Sequence, residues 1–123
     1  MDIKEINVLV LAFLGDTIYE NYVRKHLILK GVSHVNDLQK QTVNYVSAKN
    51  QASFLQELQE KNLLTEEEEG IIKRARNHKN HSHPKNCDII TYKLATGLEA
   101  LIGYLDLKGN HERIEEIMKV ILK

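Results

Sequence analysis

The chain has 123 residues with one proline, one cysteine and no tryptophan; 42% are hydrophobic and 28% charged, an ordinary composition for one folded domain around a single core. Seventeen Lys and Arg balance seventeen Asp and Glu, so net charge makes no case for nucleic acid or membrane, and only its distribution can. The lone Cys87 excludes an internal disulfide and any multi-thiolate metal site, and six glycines leave little for the turns of a many-stranded protein.

In chain order, residues 4–30 show three- and four-residue apolar recurrence through Ile6, Val10, Phe13, Leu14, Ile18 and Tyr22, which predicts a helix stopped by Gly31. Asp2, Lys4 and Glu5 do not make a secretory n-region, and the apolar run over 8–14 is too short to span a bilayer, so a cytoplasmic protein with no membrane partner is expected. Further helices are predicted over 35–46 and 47–63. Thr65 followed by Glu66, Glu67 and Glu68 is a capping box that starts a fourth, running to about Arg76. Residues 77–86 carry three histidines, three asparagines and the only proline, and read as an exposed loop. Asp88 caps the most apolar helix, 89–107, expected at the centre of the core. Lys108, Gly109 and Asn110 break it, and Asn110 caps the last helix. The prediction is one all-α domain over 1–123 with about six helices.

Two acids sit where apolar residues surround them. Asp16 shares a helical stripe with Leu9, Phe13 and Glu20, and Glu99 has Ala95, Thr96, Ile102 and Gly103 as its helical neighbours. A carboxylate in such a setting is costly unless it is paired, protonated or metal-bound. One reading pairs each acid with a Lys or Arg or leaves it on a helix edge. The other brings the two together across a helix crossing, where Gly15 and Gly97 let backbones approach and Gly103 leaves space beside Glu99. Two adjacent carboxylates repel, and a divalent cation resolves the conflict. Magnesium accepts one or two carboxylates and keeps several waters, with manganese as a substitute.

Between Gly70 and Cys87 the chain carries Lys73, Arg74, Arg76, Lys79 and Lys85 and no acid. That run fits a solvated helix end as well as a nucleic-acid contact. His78, His81, His83 and Cys87 have loose spacing that matches no familiar zinc site. The five tyrosines, at helical spacing in apolar stretches, are expected to pack and not to stack on bases.

The stretch Leu-Ala-Phe-Leu-Gly-Asp-Thr-Ile-Tyr-Glu (11–20) resembles the signature helix of the ribonuclease III endonucleases, and Ala-Thr-Gly-Leu-Glu-Ala-Leu-Ile-Gly-Tyr-Leu (95–105) resembles that family's second acidic helix. Val-Ser-Ala-Lys-Asn-Gln-Ala (46–52), Glu-Glu-Glu-Glu-Gly (66–70), Lys-Arg-Ala-Arg-Asn (73–77) and Pro-Lys-Asn-Cys-Asp (84–88) look like the Mini-III branch, which has the nuclease domain and lacks a double-stranded-RNA-binding domain. The resemblance implies a symmetric homodimer of helical nuclease domains with duplex RNA in a shared groove. It implies Asp16 and Glu99 as the catalytic, metal-binding acids and Phe13 as an aromatic of the dimer interface. It favours phosphate contacts for Lys73, Arg74, Arg76, Lys79 and Lys85, with Lys49 a further RNA-binding candidate by motif position. Full-length members carry additional acids where this chain has Leu9, Ala12 and Thr96; the number of ions per centre stays open, since two acids hold one ion more easily than two.

The implied activity is metal-dependent hydrolysis of double-stranded RNA to 5′-phosphate and 3′-hydroxyl ends, with staggered cuts, in maturation of the large-subunit (23S) ribosomal RNA precursor. The alternatives are a catalytically silent helical dimer that binds structured RNA or scaffolds a ribonucleoprotein, and a bare protein–protein interaction module. They differ in whether Asp16 and Glu99 converge on an open site.

Overall fold

In the computed structural model, residues 2–79 and 85–123 are described. A short 3₁₀ turn, Ile3–Glu5, precedes six α-helices: α1 Val8–Leu29, α2 Val35–Val46, α3 Ala48–Glu60, α4 Glu66–Arg76, α5 Ile89–Leu107 and α6 His111–Ile121. No strand occurs among the described residues.

The helix ends follow local chemistry. The first helix starts at Val8, later than the apolar pattern suggests, because the Asn7 side chain accepts from the Leu9 N–H at 2.8 Å and caps a fresh start. Gly31 ends it with φ +101, a left-handed conformation that lets the Val32 N–H reach the Leu27 carbonyl. α3 stops at Glu60, short of the predicted 63. Asn62 adopts φ 53 there, and the Leu63 N–H turns back to the Leu58 carbonyl. The capping box is present in full, with the Thr65 hydroxyl accepting from the Glu68 N–H at 3.1 Å and the Glu68 carboxylate from the Thr65 N–H at 2.9 Å. Asp88 and Asn110 cap α5 and α6 as expected, accepting from the Thr91 and Arg113 N–H groups.

α5 is the axis of the domain. Its apolar residues face all round, and such a helix is stable only when enclosed. From Leu94 to Leu105 every residue except Glu99 is buried. α1, α3, α4 and α6 enclose it, and α2 packs outside α1. Tyr19 and Tyr104 are core residues and none of the five tyrosines is exposed. Tyr19 donates its hydroxyl hydrogen to the Tyr45 carbonyl at 2.7 Å, tying α1 to the end of α2.

The glutamate run that begins α4 does more than complement the helix dipole. Glu67 accepts from Tyr104 and Lys108 on or beside α5. Glu68, at 4% exposure, is clasped by the Arg113 guanidinium of α6 at 2.7 and 2.8 Å, while Arg113 also donates to the Leu63 carbonyl. Burial pulls the Glu68 carboxyl up, but the Arg113 and Thr65 hydrogen bonds outweigh it and hold it below its ordinary range.

Candidate active site

The two acids are neighbours because two glycines let their helices touch. A Cβ on Gly15 would collide with the carbonyl of Glu99, and a Cβ on Gly103 would collide with the carbonyl of Leu11. α1 and α5 therefore cross backbone to backbone, an approach open only to residues without side chains. Asp16, the next residue after Gly15, lies exposed at the edge of the crossing. Glu99 is the one residue of the buried stretch of α5 that reaches toward solvent, and it does so at Asp16. Gly97 does not contribute to this crossing. It faces α4, where a Cβ would lie 3.2 Å from Cγ2 of Ile72. The sequence pattern gives all three glycines the same spacing logic and cannot say which neighbour each one meets.

Burial pushes the Glu99 carboxyl up to about 8; hydrogen bonding to Asp16 and the nearby Asp16 charge add to the rise, and the Gln51 amide pulls the other way. Neither Asp16 nor Glu99 forms a salt bridge among the described residues. The reading in which each acid is neutralised by a Lys or Arg is thus set aside for this pair. It fits Glu68 instead, which is the buried acid with an arginine partner. Burial also raises the Tyr19 hydroxyl, helped by the charges of Glu99 and Tyr45, so Tyr19 stays a neutral phenol beside the acids.

Two carboxyls in contact, one of them desolvated, make a site whose fully ionised form is unstable alone. A hard divalent cation suits that donor set, because it supplies the missing charge and takes its remaining ligands from water. Among the described residues no group of three or more His, Cys, Asp or Glu gathers. The positions where fuller family members carry acids are occupied otherwise. Ala12 and Thr96 are buried, and the Thr96 hydroxyl donates to the Tyr92 carbonyl. Two carboxylates therefore match one magnesium-type ion better than two.

The basic residues separate into groups. Lys73 and Arg76 are exposed on the last turns of α4 and border a hollow shared with Gln59 and Asn77. Lys79 and Lys85 are exposed on either side of the undescribed residues, and Lys49 stands on the first turn of α3. None of these five lysines and arginines has an ion-pair partner among the described residues. Arg74 differs: its guanidinium donates to the carbonyls of Lys4 at 2.7 Å and Ile6 at 3.0 Å, anchoring the N-terminal turn. Phe13 is 81% exposed on α1, and Val10 one turn earlier is exposed beside it. Of the histidine and cysteine group, His81 and His83 lie outside the described residues, and the half-buried Cys87 points its thiol at the Asp88 carbonyl.

Sequence reading missed Gln51. It is 2% exposed and faces Glu99 from α3. The signal was available: Gln51 shares a helical stripe with Leu55 and Leu58, the same polar interruption of an apolar face that singled out Asp16 and Glu99.

Comparison with known proteins places the fold. The ribonuclease III domain family matches residues 9–110. The Mini-ribonuclease 3 of Brevibacillus brevis is 54% identical over 113 residues, covering 92% of this chain and 83% of its own length. The Mini-ribonuclease 3 of Streptococcus pneumoniae is 46% identical over 118 residues, covering 96% and 92%. The X-ray crystal structure of a Fusobacterium nucleatum protein matches with a TM-score of 0.87 at 37% identity, over 98% of this chain and 97% of that one. With the helical fold, the paired acids at the α1–α5 crossing and full-length similarity in hand, this chain belongs to the Mini-ribonuclease 3 branch of the ribonuclease III family.

Proposed function

We propose that this chain is a divalent-metal-dependent endoribonuclease of double-stranded RNA, with Asp16 and Glu99 as its catalytic acids. The observation that carries the proposal is the contact between two carboxyls with no cationic partner among the described residues, one raised to about 8, at the open edge of the domain's central crossing. Bound there, magnesium (or manganese in its place) would activate a water and stabilise the charge that develops on the scissile phosphate. The side chains do the rest. The Asp16 and Glu99 carboxyls lie within hydrogen-bonding reach of each other, Gly15 and Gly103 fix the separation of the helices that carry them, and Tyr19 offers no competing charge.

Lys73, Arg76, Lys79, Lys85 and Lys49 hold the duplex through its phosphates, which carry position and not sequence. Phe13 and Val10 form the centre of a two-fold interface, so a symmetric homodimer presents two centres to the two strands. The products are 5′-phosphate and 3′-hydroxyl ends with staggered cuts. The large-subunit ribosomal RNA precursor is the cytoplasmic substrate in keeping with the family.

The test is incubation of a long RNA duplex with the protein, with and without magnesium, alongside Asp16→Asn and Glu99→Gln. Cleavage by the wild type only when magnesium is present, and by neither variant, is the expected result. Duplex binding without cleavage by the wild type would favour a silent RNA-binding dimer and defeat the proposal.

A further inference from the structure

Gln51 is the buried polar side chain that the reaction, as described so far, leaves without a task. It lies on α3, the helix packed along the Glu99 side of α5, at 2% exposure. Its amide sits close enough to the Glu99 carboxyl to favour the anion. Yet its Nε2 makes no hydrogen bond of standard geometry among the described residues. A buried amide nitrogen without an acceptor is destabilising, and a methionine would fill the same space without that cost. The fold itself therefore gives no reason for an amide here.

We propose that Gln51 is a positioning residue for Glu99: its Nε2 donates to one carboxylate oxygen and so turns the other toward the ion that Glu99 shares with Asp16. This rests on the reading of Asp16 and Glu99 as the metal-binding acids. A carboxylate that gives one oxygen to a cation has a second to satisfy, and the buried Gln51 amide is a protein donor within reach of it. Fixing that second oxygen fixes the orientation of the first, and such outer partners of metal ligands commonly set metal affinity. Gln51 touches neither substrate nor ion in this scheme. It acts through Glu99.

The experiment measures Mn²⁺ binding to the RNA-free protein by electron paramagnetic resonance, for wild type, Gln51→Met and Glu99→Gln. Gln51→Met is expected to fold with equal or higher thermal stability in the absence of metal and to bind Mn²⁺ about 10- to 100-fold more weakly. Its cleavage should require correspondingly more magnesium while approaching the wild-type rate at saturation. Wild-type Mn²⁺ affinity in a folded Gln51→Met protein, with binding lost in Glu99→Gln, would overturn the role of Gln51 and leave the metal site standing. Unchanged binding in Glu99→Gln would instead remove the site reading beneath it. Should Gln51→Met not fold, the wild type decides: the Gln51 side-chain amide resonances should shift and become protected from exchange on adding magnesium. Resonances that do not respond would overturn the proposal.

Discussion

Gly15 and Gly103 face each other so closely that each backbone occupies the space a side chain on the other would need. Gly15→Ala should therefore destabilise the domain by about 1–3 kcal/mol or more, because the obstructing atoms are backbone and cannot swing aside. Cleavage per folded molecule should fall further than stability does, since forcing the helices apart separates Asp16 from Glu99. Gly70→Ala is the control. It lies in α4 with open space around its Cβ, and should stabilise by about 0.4–1 kcal/mol. Denaturant unfolding of both variants, with activity normalised to folded protein, checks the contrast.

Glu99 gives a pH dependence whose sign is fixed. Its carboxyl is raised from 4.5 to about 8 in the folded chain, so the folded state binds a proton there more tightly than the unfolded state. That contribution is complete below pH 4.5 and is lost as pH rises through 8. In chelator, unfolding free energy should fall by a few kcal/mol across this window, and Glu99→Gln should flatten the fall. Magnesium should restore stability at the alkaline end. Chemical denaturation at several pH values measures it, and a flat wild-type profile in chelator would contradict the raised Glu99 carboxyl.

Phe13, at 81% exposure, has no place in the core of one domain. Its truncation to alanine should leave the unfolding of the single domain little changed. It should weaken dimerisation by about 2 kcal/mol, roughly 30-fold in the dissociation constant, as expected for an aromatic at the centre of an interface. Sedimentation at a series of concentrations reads the difference. A wild-type protein that is monomeric at micromolar concentration would refute the dimer.

The basic end of α4 should separate into two functions. Neutralising Lys73 and Arg76 together should weaken duplex binding with little regard to sequence and flatten its salt dependence by about 0.7–0.9 per lost phosphate contact. Turnover at saturating RNA should suffer less than affinity. Arg74→Ala should behave differently, costing about 1 kcal/mol of stability through loss of the Lys4 and Ile6 carbonyl bonds. Binding isotherms at several salt concentrations, on a Glu99→Gln background that prevents cleavage, distinguish the two.

Much of this architecture is legible from residue order, because local chemistry sets helix ends. Thr65 with Glu68, Asp88, Asn110 and Gly31 each act where the chain says they should. The restart at Asn7 was not legible, since an apolar periodicity running across it masks a cap. The acids stand out as polar breaks in apolar stripes, and that criterion singles out Asp16 and Glu99 without deciding whether they meet. What it cannot supply is the partner across space. Periodicity shows that Gly97 and Gly103 face inward and is silent on whether α1 or α4 lies opposite. The same gap hid Arg113 as the partner of Glu68, Gln51 as the neighbour of Glu99, and the Lys4 and Ile6 carbonyls as acceptors of the Arg74 guanidinium. Charge runs look alike in one dimension whether they face solvent or another segment of the same chain.

The crossing of α1 with α5 also determines when a nuclease can exist. α1 is made early, whereas α5 follows three intervening helices and must close a long loop to reach it. Until it does, Asp16 stands by itself on a helix that no neighbour holds in place, and Glu99 lies on an unshielded apolar segment. The same docking that buries the central helix brings the two carboxyls together. With Asp16 and Glu99 as the proposed catalytic acids, a half-made or partly opened chain should be inert toward RNA, its two carboxyls meeting only once α5 has docked on α1.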